Sequence, residues 1–403
     1  MATITTNNVI NSLRLLLVLT LLSLIRLAAP RSCTFDPDPT SKWKFCECQP
    51  VTADSGQVFC RRQAWITVPP LPQWELLAHN RPTYSIVSLS IVDGGLVFLN
   101  QDAFKGQNIQ LLDVSHNHIE TVNVNAFRGL ESKIYQLSLN RNSLSSIPSR
   151  SLTYLYQLQY LYLQQNRIAE VQPDTFDETQ LKNLQFLYLD HNMIFYLPKR
   201  SFFRLPLQVL TLGNNRIFDI DKQALPISLW FLDLKNNALN QIPYLALKDL
   251  KQLATLDLEG NNITTLVPEP EVVFETEISL LLGSNRIENL EENAFGSFRK
   301  IKALDLSYNR IGKMPDDCFE SISHMKVLDL SYNYLANIPK RTFQNVAKSL
   351  QRLILEENDF HVLPSGLAHL RVLEHLNLKS NKLNKLDNST FEHFKPALTE
   401  LLL

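Results

Sequence analysis

From Ile86 onward, apolar positions recur in one order, LxxLxLxxNxL, with clear copies at LQYLYLQQNRI from Leu158, LWFLDLKNNAL from Leu229, IKALDLSYNRI from Ile301 and MKVLDLSYNYL from Met325. The alternating xLxLx core predicts a short strand with two leucines on one side. A single copy cannot bury that face, so the copies are expected to stack in parallel around a continuous core. An asparagine closes each strand, at Asn117, Asn142, Asn166, Asn192, Asn215, Asn237, Asn261, Asn285, Asn309, Asn333, Asn358 and Asn381. An earlier copy from Ile86 carries Gly94 in that slot, which makes thirteen repeats. The asparagine amide offers donors and an acceptor to the turn and to the adjacent coil, so the column should form a buried polar ladder. Five residues further on stands an apolar anchor, as at Ile147, Leu197, Ile242 and Ile338, often followed by proline. Ten residues on, Phe104, Phe127, Phe176, Phe202, Phe295, Phe319, Phe343 and Phe391 predict a second spine on the opposite, convex side.

Registered over thirteen copies, this motif resembles the leucine-rich repeat family. The 24-residue period with phenylalanine in the convex column is similar to the class found in Toll-type receptors, Slit-like ligands and chaoptin-like adhesion proteins. The resemblance covers about residues 33 to 403. It implies an α/β solenoid: a horseshoe with a parallel concave β-sheet and an irregular or short-helix convex side. Two departures stand out. Val267–Phe274 lacks the phenylalanine column and Glu277 takes a leucine slot, which predicts a locally irregular convex turn. Leu398–Leu403 reads as the opening of a fourteenth strand, so the sequence is expected to be a fragment or truncated product.

The N-terminal part reads differently. Leu15–Ile25 is an 11-residue apolar run flanked by Arg14 and Arg26, with small residues following at Ala28 and Ala29. It is about half the length a bilayer span needs, so residues 1–29 are expected to be a cleaved signal peptide. No other stretch is long and apolar enough to span a membrane. Of five cysteines, Cys33, Cys46, Cys48 and Cys60 cluster just after that segment, as a disulfide framework does in an oxidising compartment. A zinc site is the weaker alternative, since no CxxC spacing and no histidine lie among them. The family resemblance makes residues 33–70 an N-terminal cap and implies the pairs Cys33–Cys48 and Cys46–Cys60. Cys318 stands apart and reads as a buried free thiol.

With 39 Lys+Arg against 40 Asp+Glu, the chain has no global charge for nucleic acid or an anionic membrane. Its 11 glycines form no phosphate-cradling loop, and no GxSxG, HExxH or Rossmann pattern occurs. Asp113, Asp233, Asp257, Asp305 and Asp329 share one outward strand position, where carboxylate pairs of the glycosidase kind could arise. A solvated acidic sheet face is the simpler expectation, and no catalytic residue, metal ligand or cofactor is expected. Binding is better supported. Tyr160, Tyr162 and Gln164 should lie on the concave face beside Phe186, Tyr188 and Asp190, with Phe231 two repeats on. Clustered aromatics suit a protein-binding site. Sequons at Asn262 and Asn388 are candidate glycosylation sites.

These readings converge on a non-catalytic extracellular or cell-surface binding module, most simply the ectodomain of an adhesion or recognition receptor. The partner is a protein ligand or another cell-surface protein, with homophilic contact as one form. The alternatives are a secreted matrix or guidance ligand, or the targeting module of an enzyme or kinase with its catalytic domain beyond Leu403.

Overall fold

A computed structural model describes residues 42–43, 45–52, 55–71, 85–177, 179–384 and 397–403. Residues 1–29, Cys33, Asn388 and Phe391 lie outside the described residues. Among those described, sixteen strands form one sheet whose order follows the sequence. Glu47–Thr52 and Ser55–Arg61 pair as an antiparallel hairpin, and every later pairing is parallel. The expected register holds: Leu112, Leu137, Leu161, Leu187, Leu210, Leu232, Leu256 and Leu280 align across adjacent strands and are buried. The result is the parallel-strand horseshoe solenoid. Its convex side is mostly turns, with four-residue helices at Ser149–Leu152 and Tyr244–Leu247 and a 3-10 turn at Ser365–His369.

The asparagine ladder fastens one coil to the next. Asn166 Nδ2 donates to Leu163 O in its own coil and to Leu139 O in the preceding one, both at 3.0 Å. Its Oδ1 accepts from Leu144 N–H at 3.0 Å. The same three contacts recur at Asn237 and Asn333. Each amide therefore satisfies backbone groups that the turn would otherwise bury unpaired.

Curvature follows from what stacks on each side. Concave rings repeat at 4.5 and 4.8 Å, the spacing of adjacent strands. Convex phenylalanines repeat at 6.1 Å for Phe104 and Phe127, and at 5.4 Å for Phe295 and Phe319. The wider outer rise bends the stack toward the sheet.

The irregular turn appears where the sequence places it. Phe274 pairs with Phe298 in register and stacks on it at 5.0 Å, and the register slips between Phe274 and the exposed Glu277. Phe274 thus stands thirteen residues after its ladder asparagine, as Phe298 does, and the phenylalanine column is interrupted at the exposed Glu271. Here the strands lengthen, to Phe274–Leu281, Phe298–Asp305 and His324–Asp329.

At the N-terminal end, Cys46 and Cys60 are disulfide-bonded. Cys48 is also disulfide-bonded, and its expected partner, Cys33, lies outside the described residues. Trp43 is buried, packs on Trp65 at 4.8 Å, and donates through Nε1 to Pro70 O at 2.9 Å. This structure reaches into the first ladder slot. A Cβ on Gly94 would lie 2.9 Å from both Asn117 Oδ1 and Gln63 O, so neither asparagine nor alanine fits there. Cys318 is free and buried, and burial pushes its thiol pKa up.

Candidate functional site: the aromatic patch of the concave sheet

Alternation puts the residues on either side of each central leucine on the concave surface. Tyr160 and Phe186 are register partners with ring centroids 4.5 Å apart and planes 3° from parallel. Tyr162 and Tyr188 form the second pair, at 4.8 Å and 2°. Four of the expected residues therefore form one two-by-two stack. Phe186 is 5% exposed, while Tyr160, Tyr162 and Tyr188 remain partly exposed. Phe231 lies apart: Val209 stands between it and Phe186 in the register, and its ring packs edge-on against Trp230 at 5.9 Å. Burial raises the Tyr135 pKa and nearby Tyr160 raises it further, which places an unanticipated tyrosine beside the stack.

Polar groups border the rings. Asp190 accepts from Thr211 Oγ1 and from Gly213 N–H, the latter at 3.1 Å. Its pKa is raised, chiefly by burial and also by Asp233, against the opposing hydrogen bond from Thr211. A Cβ on Gly213 would meet Asp190 Oδ1 and Lys235 Cγ at 3.1 Å and Asp233 Oδ1 at 3.2 Å, so glycine makes room for this cluster. Gln164, two residues along from Tyr162 on the same face, has a buried Oε1 with no hydrogen-bond partner. A buried orphan acceptor is uncommon.

Two aspartates of the column depart from the solvated face the sequence suggests, while Asp113, Asp305 and Asp329 remain partly exposed. Asp233 and Asp257 are each 5% exposed. Their carboxylates fold back to accept the backbone N–H two residues on, Lys235 at 2.9 Å and Glu259 at 3.0 Å. Asp113, Asp305 and Asp329 do the same with Ser115, Ser307 and Ser331. This is the Asx-turn role of a short acidic side chain at a strand end. Desolvation raises Asp257 to about 7 and Asp329 to about 6. Lys235 Nζ lies 3.6 Å from Asp233.

A second aromatic feature had a sequence signal, the repeated LSYN, that the strand reading passed over. Tyr308 and Tyr332 precede their ladder asparagines, take φ of 53° and 55°, and stack at 4.1 Å on the rim. Both are exposed. Asn262 follows the ladder residue Asn261, is partly exposed, and lies on the flank of the solenoid rather than on the concave sheet. Among the described residues no group of three potential metal ligands occurs, and no helix is long and apolar enough to cross a membrane.

Comparison with known proteins adds to this geometry. The family model described as Leucine rich repeat matches residues 85–133, 132–194, 206–263, 278–335 and 299–348, more than half the chain. Chaoptin from Drosophila melanogaster is 30% identical over 154 residues, which are 36% of this chain and 11% of that protein. Podocan-like protein 1 from Homo sapiens is 30% identical over 175 residues, 42% of this chain and 33% of that protein. The chain thus spans a third or less of these relatives. Among solved structures, the Drosophila Toll–Spatzle complex matches with a TM-score of 0.64 and 17% identity, covering 92% of this chain and 60% of that one.

Proposed function

The chain belongs to the leucine-rich repeat family, and from that premise we propose that it is a non-catalytic, extracellular protein-binding module whose concave aromatic patch holds a protein partner. The observation that carries this reading is the double stack of Tyr160 on Phe186 and Tyr162 on Tyr188. Rigid aromatics present large contact area at little entropic cost, and with polar groups at their edge they have the makeup of a binding hot spot. Asp190 and the orphan acceptor of Gln164 frame the rings, and Phe231 extends the apolar surface two coils on. The Toll–Spatzle structure, a complex of a similar solenoid, is in keeping with a protein partner.

In this reading residues 1–29 are a signal peptide, 33–70 a disulfide cap and 86–403 the repeats, and the module is the ectodomain of a cell-surface adhesion or recognition receptor. The Cys46–Cys60 disulfide suits an oxidising compartment. The test is to probe an array of purified extracellular domains with the secreted chain and with Tyr162→Ala plus Tyr188→Ala. Partners retained by the wild type and lost by the variant support the site. Partners retained equally by both reject it.

A further inference from the structure

A second aromatic surface lies on the flank entered just after each ladder asparagine. The segments after Asn192 and Asn215 run side by side as a parallel ribbon. Arg216 N–H donates to Ile194 O at 2.8 Å, Phe218 N–H to Phe195 O at 3.0 Å, and Tyr196–Leu197 is in register with Asp219–Ile220. Ile194, Leu197, Ile217 and Ile220 turn into the core. Met193, Phe195 and Phe218 consequently face outward, 39%, 41% and 54% exposed. The Phe218 ring lies 6.5 Å from Phe195 and 6.0 Å from Tyr196. The neighbouring coils carry Ala169 and Asn240 where these two carry phenylalanine. A contiguous exposed apolar patch of this kind marks an interaction surface.

Charge frames the patch unevenly. Arg167 and Arg216 line the edge beside the ladder, while Glu170 and Asp219 line the far edge, and all four are exposed. Neither arginine makes an ion pair among the described residues. We propose that this flank joins two copies of the chain about a two-fold axis that runs along the stack of coils. Such an axis sets each coil opposite the same coil of the other copy and exchanges the two edges. Arg216 then faces Asp219 of the other copy, Arg167 faces Glu170, Met193 faces Tyr196, and the phenylalanines meet at the centre. A two-fold running across the coils would instead oppose arginine to arginine. The charge pattern therefore selects both the partner and the axis.

The surface is independent of the concave site. A glycan on Asn262, in the same column as Arg216 and two coils further on, would bound it on that side. Contact carried by a few side chains from each copy is expected to be micromolar, weaker than a standard interface of roughly 800 Å² per partner.

Sedimentation equilibrium of the secreted chain between about 1 and 100 µM tests this. The wild type is expected to pass from monomer to dimer across that range. Arg216→Asp alone and Asp219→Arg alone should each weaken self-association by about tenfold or more. Mixed together, the two variants should recover dimers, because each then supplies the charge that the other lacks. Tyr162→Ala plus Tyr188→Ala should leave dimerisation unchanged. A wild type that stays monomeric throughout the range overturns the proposal. So does failure of the mixed variants to associate, which would show that Arg216 does not face Asp219 across a two-fold.

Discussion

Tyr162 and Tyr188 are held face to face at 4.8 Å, 2° from parallel, by strands in perfect register. Each ring covers one face of the other, so the pair can stand on an open sheet without exposing both faces to water. Their edges and hydroxyls are what the concave surface presents. Aromatic pairs of this geometry contribute about 0.5–1.5 kcal/mol beyond their buried area.

Each ladder asparagine ties two coils together through buried backbone groups. Replacing Asn237 with alanine leaves Ile217 N–H, which it now bonds at 2.9 Å, without a partner, while Leu212 O loses one of its two amide donors and keeps Asn215. One buried donor left unpaired sets a loss of about 1–3 kcal/mol. Asn237→Ala should lower the denaturant midpoint clearly, and the exposed Asn240→Ala should leave it nearly unchanged. Equal midpoints would remove the ladder from the account.

Buried carboxylates should make the fold more stable in mild acid. Desolvation, with Asp233 adding, raises Asp257 to about 7, against about 3.9 in an unfolded chain. Between those values the folded protein keeps a proton that the unfolded chain has released, so stability falls as pH rises from about 4 through 7. Asp257→Asn keeps an acceptor for Glu259 N–H, now at 3.0 Å, and removes the charge. Its Tm should exceed that of the wild type at pH 8, with the gap closing toward pH 5. A gap that does not change with pH would show that Asp257 is not titrating there.

Gly94→Ala tests how the first coil meets the cap. The added methyl would lie 2.9 Å from backbone Gln63 O, which has little freedom to yield. Thermal unfolding should begin at lower temperature, with amides near Gly95 and Val97, now bonded to Gln63 O and Ile66 O, exchanging faster. Unchanged exchange would mean that the cap is not anchored through this contact.

Thiol chemistry should separate the cysteines. Cys318 is fully buried and its pKa is raised, so a thiol reagent should leave the native protein unmodified. Denaturation without reductant should expose one reactive thiol. More than one would contradict the disulfide-bonded cap.

Much of the fold was legible because each column does one physical job. The leucines of LxL, the ladder asparagines and the convex phenylalanines each repeat with the coil, and the strand register follows from them. The concave tyrosines were legible for the same reason, since alternation fixes their face. What periodicity does not encode is what lies beside a residue across the stack. Asp257 looks solvated in sequence because strand alternation turns it outward between Leu256 and Leu258, yet it is buried. Phe195 and Phe218 look like isolated apolar residues until Phe218 N–H bonds to Phe195 O and brings them together. Phe231 shares a column with Phe186, and only the register shows Val209 intervening.

The concave site is tested most directly by the affinity of one purified partner for the wild type, for Tyr162→Ala plus Tyr188→Ala, and for the flank variant Arg216→Asp. Loss of two central aromatics should cost at least about 2 kcal/mol, roughly thirtyfold in Kd, with Arg216→Asp binding as the wild type does. Equal affinity of the double variant and the wild type, with both folded and secreted alike, would contradict a binding site at the aromatic stack.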